Sequence, residues 1–282
     1  SEMCIRDRGS PCETLIETTD EKLAAEVTRA VASEAWRIET KFSRYRDDNV
    51  IHQIHNAEGQ KTKVDAELSL LLDFAQECYR LSDGLFDITS GVLRRIWKFD
   101  GSDNIPSQQQ SDALLEIIGW NKVSWQPPYF TLPAGMEIDL GGIGKEYAVD
   151  KAGQLARQLT DIPVLVNFGG DLFATSAPLT KSAWQVGIES VNDTAHSAMI
   201  TISNGGVATS GDANRFLESD GIRYSHVLDP GTGRSVQGAP KSVTVAAETC
   251  IEAGFLSTLA MLKGKHARSF LQTQDVVFWI QE

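Results

Sequence analysis

The chain has 282 residues, of which 41% are hydrophobic and 23% charged, proportions that are ordinary for a globular protein with a full core. Lys and Arg total 26 against 38 Asp and Glu, and the formal net charge of −12 disfavours binding to nucleic acid or to anionic membranes. No run of about 18 apolar residues occurs, so we expect no membrane-spanning helix.

The first residues carry little information on fold or compartment. The chain begins at Ser1 without Met, and residues 1–8 lack the apolar stretch of a signal peptide. We therefore expect residues 1–8 to be a non-native or disordered start, and residues 9–282 to form a single domain with a ligand cleft between two lobes. Without a signal peptide the chain as it stands is predicted to be cytoplasmic, and its true N-terminus and compartment are left open.

In the first half of the chain, apolar periodicity predicts helices. Residues 20–39 and 65–82 each carry an apolar stripe at helical spacing, and Asp65 is a plausible N-cap of the second. A shorter helix is predicted at 111–118. Residues 122–132 are typical of a hairpin, with Pro127-Pro128 near its turn.

Residues 136–170 are predicted to form a strand at 136–140, a glycine turn, a helix and a strand at 163–168. The second half is mostly strands, which are predicted at 184–189, 199–202, 242–245 and 276–280, with one helix at 250–263. This order predicts a mixed α+β fold: a largely antiparallel sheet system with flanking helices.

Five short segments combine acidic residues with glycines, and most of them also carry a hydroxyl residue. Glycine lets backbone N–H groups approach a ligand, and fixed carboxylates orient its polar edges. Each segment alone is also consistent with an ordinary turn or helix cap, but five in one chain predict a site for a large phosphorylated ligand. They are residues 83–89, 139–145, 167–171, 209–212 and 226–233.

Two of these segments suggest specific contacts. Residues 139–145 open a helix, whose N-terminus favours phosphate, although a tight strand-to-helix turn is an equal alternative. Their glycines do not form GxGxxG, which argues against a dinucleotide-binding Rossmann domain. In residues 83–89, Phe86 is suited to pack on a flat ring and Asp87 to accept from ring or ribose donors. The alternative is a helix C-cap with an Asx-turn.

Among five histidines, His226 alone adjoins an Asp-Pro-Gly-Thr-Gly turn at the end of a predicted strand. Its imidazole is suited to act as a general base near neutral pH, because it can take a proton from a hydroxyl. The alternative is a core histidine whose hydrogen bonds are satisfied.

Taken in order, these segments resemble the FAD:protein FMN transferase family, the ApbE-like flavin transferases, over about residues 42–260. The resemblance implies transfer of FMN from FAD to a Ser or Thr hydroxyl of an acceptor protein, with release of AMP and with help from Mg²⁺. FAD and a flavin-accepting protein segment are therefore the expected partners. The matching pieces are residues 43–46, 82–89, 139–150, 167–171, 208–212, 224–233 and 253–258.

The resemblance also implies roles for individual residues. His226 is the expected base, and the Gly142 carbonyl and the Thr258 hydroxyl are the expected metal ligands. The expected FAD-binding residues are Tyr45, Leu85, Phe86, Asp87, Asp139, Lys145, Gly170, Asp171, Ser210, Asp212 and Leu228.

The sequence departs from the family at its metal motif, Ala-Asp-Ala-x-x-Thr. Gly254 stands at the Asp position, although Thr258 is retained, and Glu146 stands where the family often has Gly. Carboxylates are the main anionic ligands of Mg²⁺, so we expect weakened metal binding unless Glu252 or Asp212 supplies an oxygen. Two alternatives to the transferase therefore stay open: an FAD-binding protein with weakened or lost catalysis, and an FAD pyrophosphatase giving FMN and AMP.

Overall fold

The computed structural model describes residues 2–5, 12–100, 102–188, 198–211, 216–219 and 221–282. Asp212, one of the expected FAD-binding residues, lies outside the described residues. The α-helices of the described part are α1 (Glu21–Phe42), α2 (Val50–His55), α3 (Ala66–Leu81), α4 (Gln108–Leu115), α5 (Gly144–Leu159), α6 (Cys250–Leu262) and α7 (Ala267–Leu271). Short 3₁₀ helices cover Ile88–Arg95, Trp120–Lys122, Leu140–Gly142 and Gly264–His266.

The strands alternate with these helices in the first half and dominate the second. They are β1 (Glu2–Ile5), β2 (Cys12–Ile16), β3 (Thr62–Lys63), β4 (Ser124–Gln126), β5 (Tyr129–Thr131), β6 (Val164–Phe168), β7 (Asp171–Ala174), β8 (Trp184–Ile188), β9 (Ala198–Ile202), β10 (Gly205–Gly211), β11 (Phe216–Ser219), β12 (Ile222–Ser225), β13 (Leu228–Asp229), β14 (Arg234–Ser235), β15 (Ser242–Ala247) and β16 (Val277–Gln281).

A seven-stranded sheet organises the molecule, in the order β1-β2-β6-β7-β10-β15-β16. Every pairing in this sheet is antiparallel, with Thr14 opposite Val166 and Ala208 opposite Val245. The mixed, largely antiparallel fold expected from the sequence is therefore confirmed. The edge strand β1 lies within residues 1–8, the segment predicted to be a non-native or disordered start, and it pairs with β2.

The two faces of the sheet are covered differently. Side chains alternate along a strand, so Val166 and Phe173 face the helical core while Leu165 and Leu172 face the other way. On the first face α5 and α6 pack against the strands, and α1 packs on α5. On the second face the β8–β9 hairpin contributes buried isoleucines. Both faces are thus removed from water.

Helices α3 and α6 begin at residues whose side chains cap their first turns. Asp65 accepts a hydrogen bond from Leu68 N at 2.9 Å, which confirms it as the N-cap of α3. Thr249 caps α6 by accepting from Glu252 N at 3.3 Å, as its position before the apolar run predicts. Asp150 of α5 completes that cap, since its two oxygens accept from Cys250 N and Ile251 N at 2.7 and 2.9 Å.

The prediction for residues 136–140 is wrong. No strand forms there; the segment is irregular and continues into the 3₁₀ helix Leu140–Gly142. Ile138 N donates to His55 Nε2 at 3.0 Å, and Asp139 N donates to Ile88 O at 2.8 Å. With these groups already bonded to loop and side-chain partners, the segment cannot join a sheet ladder. The helix predicted at 111–118 begins earlier, at Gln108, because Ser107 forms a capping box with Gln110.

None of the helices in the described ranges is both long enough and apolar enough to cross a membrane.

Candidate functional site

A pocket of about 350 Å³ lies beside His226, and it collects residues from distant parts of the chain. Two of its residues, Tyr45 and His226, are among those expected to bind FAD or to act on it. The remaining lining brings cationic and aromatic side chains together, which suits an anionic ligand with a flat ring. These residues are Arg44, Arg94, Trp97, Lys98 and Phe99.

His226 sits between β12 and β13, and the turn that follows is held rigidly. Ser235 Oγ donates to Ser225 O at 2.7 Å, and Gly233 N donates to Asp229 O at 2.8 Å. Gly233 adopts φ +64°, and its carbonyl accepts from the Trp97 indole at 2.9 Å. The Asp-Pro-Gly-Thr-Gly turn therefore anchors the chain on either side of His226 to the aromatic wall of the pocket.

The His226 ring meets the Phe99 ring edge to face, with centroids 6.2 Å apart, and Phe99 is stacked on Trp97 at 5.9 Å. His226 is half-buried, so it has access to the pocket while its orientation is limited by packing. Leu228, an expected FAD contact, is also half-buried and packs against the apolar cluster that contains Trp97.

Asp139 supports the pocket through Arg44. Arg44 Nη1 donates to Asp139 Oδ2 at 2.9 Å and to Gly91 O at 3.2 Å, while Asp139 Oδ1 accepts from Gly141 N at 2.8 Å. Arg94 lies 3.7 Å from the same Asp139 oxygen. Asp139 therefore fixes a cation at the pocket wall and caps the 3₁₀ helix Leu140–Gly142, as its predicted position in a ligand-binding turn allows.

The loop that contains Leu85, Phe86 and Asp87 is more deeply placed than the sequence suggests. Asp87 Oδ1 accepts from Thr89 N and Thr89 Oγ1 at 2.8 and 2.7 Å, and its Oδ2 accepts from Trp120 N at 3.0 Å. Burial raises the pKa of Asp87, against the lowering effect of these hydrogen bonds. Asp87 thus organises its own loop, and its contact with FAD stays a prediction.

Phe86 connects this loop to the start of α5 and to α6. Its ring is buried and meets the Phe255 ring of α6 edge to face, with centroids 5.5 Å apart. A Cβ at Gly142 would lie 3.4 Å from Phe86 Cζ, so Gly142 stands directly against this ring. Leu85 is half-buried and packs on the same core. The expected metal-ligand position Gly142 is therefore joined to α6 through two aromatic rings.

A second group of chemically active residues lies where α5, β7 and α6 meet. Lys145 Nζ is 2.7 Å from Asp171 Oδ2, which pairs two residues expected to bind FAD. Asp171 is 1% exposed and its Oδ1 accepts from Thr209 N at 3.2 Å. Burial acts to lower the pKa of Lys145, but the charge of Asp171, its hydrogen bond and the Glu146 charge together raise it. Gly170, which precedes Asp171, adopts φ +94° in the exposed turn between β6 and β7.

Glu146 belongs to this group, although the sequence reasoning did not place it in the site. Its carboxyl is 8% exposed and close enough to Asp171 to hydrogen-bond with it when one of the two is protonated. Burial raises the pKa of Glu146, and the neighbouring Asp171 carboxyl raises it further. Among the described residues, no hydrogen-bond donor reaches Glu146 Oε2. In the sequence, the signal for this role is that Glu146 and Gly254 both depart from the family pattern.

Hydroxyl groups border the carboxyl pair. Ser210 Oγ lies 2.8 Å from Ser257 Oγ and 2.9 Å from Thr258 Oγ1, which brings together an expected FAD-binding residue and an expected metal ligand. Ser257 Oγ also donates to the Gly254 carbonyl at 3.1 Å. The two hydroxyl residues of α6 and Ser210 of β10 therefore form one polar cluster.

The donors at this junction fit a hard divalent cation such as Mg²⁺, which prefers carboxylate, carbonyl and hydroxyl oxygens. Buried carboxyl oxygens of Glu146 and Asp171 and the Thr258 hydroxyl are present, and Gly142 lies against Phe86 just before α5 begins. The described residues hold no cluster of three or more His, Cys, Asp or Glu. Any cation here would therefore rely on two carboxyls together with neutral oxygens.

The site residues thus include two groups, the His226 pocket and the Glu146–Asp171 junction. Of the two residues expected to compensate for Gly254, Glu252 is exposed in the first turn of α6, and Asp212 lies in residues that the structure does not describe.

Comparison with known proteins identifies the family. The family model described as "ApbE family" matches residues 9–279. The FAD:protein FMN transferase of Escherichia coli K12 is 30% identical over 259 residues, covering 87% of this chain and 73% of that protein. The protein of the same description from Haemophilus influenzae is 28% identical over 271 residues, covering 89% of this chain and 75% of that one.

Solved structures with a similar fold include members of the same family. The ApbE protein of Thermotoga maritima superposes with a TM-score of 0.89 at 30% identity, covering 99% of this chain and 93% of that chain. The flavinyl transferase ApbE of Pseudomonas stutzeri superposes with a TM-score of 0.88 and covers 99% of this chain and 90% of that chain. Because the two sequences are only 23% identical, this likeness is evidence for the fold alone. With a family model matched over nearly its whole length, the chain belongs to the ApbE family.

Proposed function

We propose that this protein is an FAD:protein FMN transferase, which moves FMN from FAD onto a Ser or Thr hydroxyl of an acceptor protein. Its curated relatives in Escherichia coli and Haemophilus influenzae carry that description. The observation that carries the proposal is the pocket in which His226 and Tyr45 stand beside Arg44, Arg94 and Lys98. In a chain of net charge −12, three cations line one pocket, and although Asp139 pairs with Arg44 and Arg94, this concentration of positive charge favours an anionic ligand.

The pocket supplies groups suited to the flavin ring and to the pyrophosphate of FAD. The aromatic side chains of Tyr45 and Phe99 offer surfaces for a flat ring, and the cations offer charge to the pyrophosphate. We assign the FAD contacts to the residues named from the sequence, with Asp139 acting through the Arg44 guanidinium. The second group of site residues, where α5, β7 and α6 meet, contains Lys145, Asp171 and Ser210.

The reaction needs a base and a leaving group. In the proposed step the acceptor hydroxyl oxygen forms a bond to the FMN phosphorus, and the pyrophosphate P–O bond to the AMP phosphate breaks. His226 takes the hydroxyl proton, and AMP leaves with the bridging oxygen, so that FAD and protein hydroxyl give flavinylated protein and AMP. The edge-on contact with Phe99 holds the imidazole in place for this transfer.

We further propose that the reaction depends on Mg²⁺, held by the Gly142 carbonyl, the Thr258 hydroxyl and the carboxyl pair. When bound, the cation supplies charge that stabilises the pyrophosphate in its transition state.

The test is incubation of the protein with FAD, Mg²⁺ and a flavin-accepting domain, followed by intact-protein mass spectrometry. The expected result is a gain of one FMN on the acceptor and an equal amount of AMP. Free FMN and AMP without labelled acceptor would identify an FAD pyrophosphatase instead. FAD that is bound but unchanged would identify a binding protein without turnover.

His226→Ala tests the assignment of the base. We expect loss of transfer by at least about a hundredfold with FAD binding kept, because general-base catalysis contributes factors of this size. His266→Ala is the matched control, since His266 is exposed in the 3₁₀ helix Gly264–His266, outside the pocket. A His226→Ala variant that transfers at the wild-type rate would show that another group takes the proton.

A further inference from the structure

Gly254 and Glu146 are complementary in shape across the contact between α6 and α5. A Cβ placed on Gly254 would lie 2.6 Å from Glu146 Cγ and 3.0 Å from Glu146 Oε1. The first distance is shorter than real Cβ contacts show and the second is tight, so the Glu146 side chain fills the space that a side chain at position 254 would need. The absence of a side chain on α6 is what admits the carboxyl from α5.

The carboxyl admitted in this way is buried beside a second one. Glu146 and Asp171 are 8% and 1% exposed. Lys145 forms an ion pair with Asp171. When all three groups are ionised the set carries one excess negative charge in a place that excludes water. A buried charge of this kind is stable only if it binds a proton or a cation.

The surroundings also supply oxygen atoms of the kind that a cation needs. Glu146 Oε2 is buried, and no donor in the described part of the chain reaches it. Ser257 Oγ donates to the Gly254 carbonyl, one turn before Thr258 on the same helix, and the Ser210 and Thr258 hydroxyls lie 2.9 Å apart. A chain of contacts therefore runs from the Glu146 carboxyl past Gly254 and Ser257 to Ser210 and Thr258. Carboxylate, hydroxyl and carbonyl oxygens are the donor chemistry of a hard divalent cation.

We infer that Glu146 is an acidic ligand of a divalent cation held between α5 and α6, and that Gly254 leaves the space it occupies. The anionic ligand thus comes from α5, whereas the family motif carries it at position 254 on α6. The inference deepens the proposed function, on which the presence of a cation at this place rests. It also replaces the expectation that Gly254 alone weakens metal binding.

The first test measures binding of Mn²⁺, as a spectroscopic probe for Mg²⁺, to the purified full chain without FAD, by electron paramagnetic resonance. We expect Glu146→Gln to weaken Mn²⁺ affinity at least tenfold while the thermal unfolding midpoint without metal stays equal or rises, because a buried charge is removed. Glu252→Gln, which changes an exposed carboxylate on α6, should leave the affinity within twofold of wild type. Unchanged affinity in Glu146→Gln, or the tenfold loss in Glu252→Gln instead, would overturn the inference.

The second test exchanges the two side chains. Gly254→Asp alone should lower the unfolding midpoint, since the new Cβ collides with Glu146, and Glu146→Gly alone should lose Mn²⁺ affinity. The double variant Glu146→Gly with Gly254→Asp should recover affinity to within about threefold of wild type, because the carboxylate returns from the other helix. Additive losses in the double variant would show that the two positions do not share one site.

The two proposals fail separately. Wild-type protein that binds Mn²⁺ through Glu146 but labels no acceptor would refute the transferase and leave the ligand assignment standing. Protein that transfers FMN in Mg²⁺ while Glu146→Gln keeps full Mn²⁺ affinity would do the reverse.

Discussion

Two glycines in helix interiors decide how closely α5 and α6 approach their neighbours. Glycine inside a helix costs about 1 kcal/mol relative to alanine, so its presence needs a compensating contact. Gly254 of α6 admits the Glu146 carboxyl, and Gly153 of α5 admits the Phe173 ring, since a Cβ there would lie 2.2 Å from that ring. In both cases the missing side chain determines what its partner can place in the core.

Gly153→Ala should therefore destabilise the protein, although the same change in an open helix would stabilise it by about 1 kcal/mol. The methyl group would overlap Phe173, and overpacking of this kind costs about 1–3 kcal/mol. Gly144→Ala is the control, because its Cβ would meet only Leu140 Cβ at 3.9 Å. Urea unfolding of both variants measures the difference, and a Gly153→Ala variant as stable as wild type would show that Phe173 moves aside at little cost.

At the scale of elements, α5 is the centre of the site. It begins beside the Gly142 turn, contributes Lys145 and Glu146 to the carboxyl junction, and caps α6 through Asp150. Capping by a side chain of another helix fixes the relative position of α5 and α6, since both Asp150 oxygens are bonded to the first N–H groups of α6. The register of Glu146 against Gly254 follows from that cap.

The cap predicts a specific pH dependence. Burial raises the pKa of Asp150 from 3.8 to about 6, against the two hydrogen bonds, and the Glu252 charge also raises it. Between about pH 4 and pH 6 the folded chain therefore holds a proton that the unfolded chain has released. This contribution to the free energy of unfolding falls as pH rises through that window, by up to about 3 kcal/mol.

Asp150→Asn removes this group, so the stability of the variant should decline less than that of wild type between pH 4 and pH 6. Urea unfolding at several pH values across the window, compared between the two proteins, isolates the contribution from all other carboxyls. Parallel pH profiles would mean that Asp150 is ionised in the folded protein throughout the range.

On the scale of the whole molecule, the cations in the pocket are opposite in sign to the net charge of the chain. The chain carries −12 overall, yet the pocket beside His226 is lined by Arg44, Arg94 and Lys98. Arg44 is held by Asp139, whereas Lys98 is exposed at the pocket wall. An anionic ligand is therefore attracted locally and repelled by the protein at longer range.

Lys98→Gln should weaken FAD binding roughly twofold to fivefold at low salt, as expected for one exposed charge worth about 1 kcal/mol or less. The difference from wild type should shrink at about 0.5 M NaCl, where the Debye length is only a few Å. Lys265→Gln, at an exposed position in the 3₁₀ helix Gly264–His266, should bind FAD as wild type does. Equal affinities of all three proteins in a flavin-fluorescence titration would place the FAD phosphates elsewhere.

The sequence predicted well wherever a local pattern is sufficient. The apolar stripe after Asp65 predicted α3, Thr249 predicted the start of α6, and the alternation at 242–245 predicted part of β15. It failed at 136–140, where apolar residues predicted a strand, because backbone groups of Ile138 and Asp139 bond to His55 and Ile88 instead. Those partners are far away in the chain, and no local pattern identifies them.

By itself the sequence determined the family, the α+β class and His226 as the candidate base, because these depend on residue types in a fixed order. The tertiary structure alone decided that Tyr45 and His226 line one pocket and that Asp87 is committed to its own loop. It also joined Gly254 and Glu146, which the sequence presents as two unrelated departures more than 100 positions apart. The physical reason is that steric fit and burial are properties of pairs brought together by folding, whereas composition and motif order are properties of the chain.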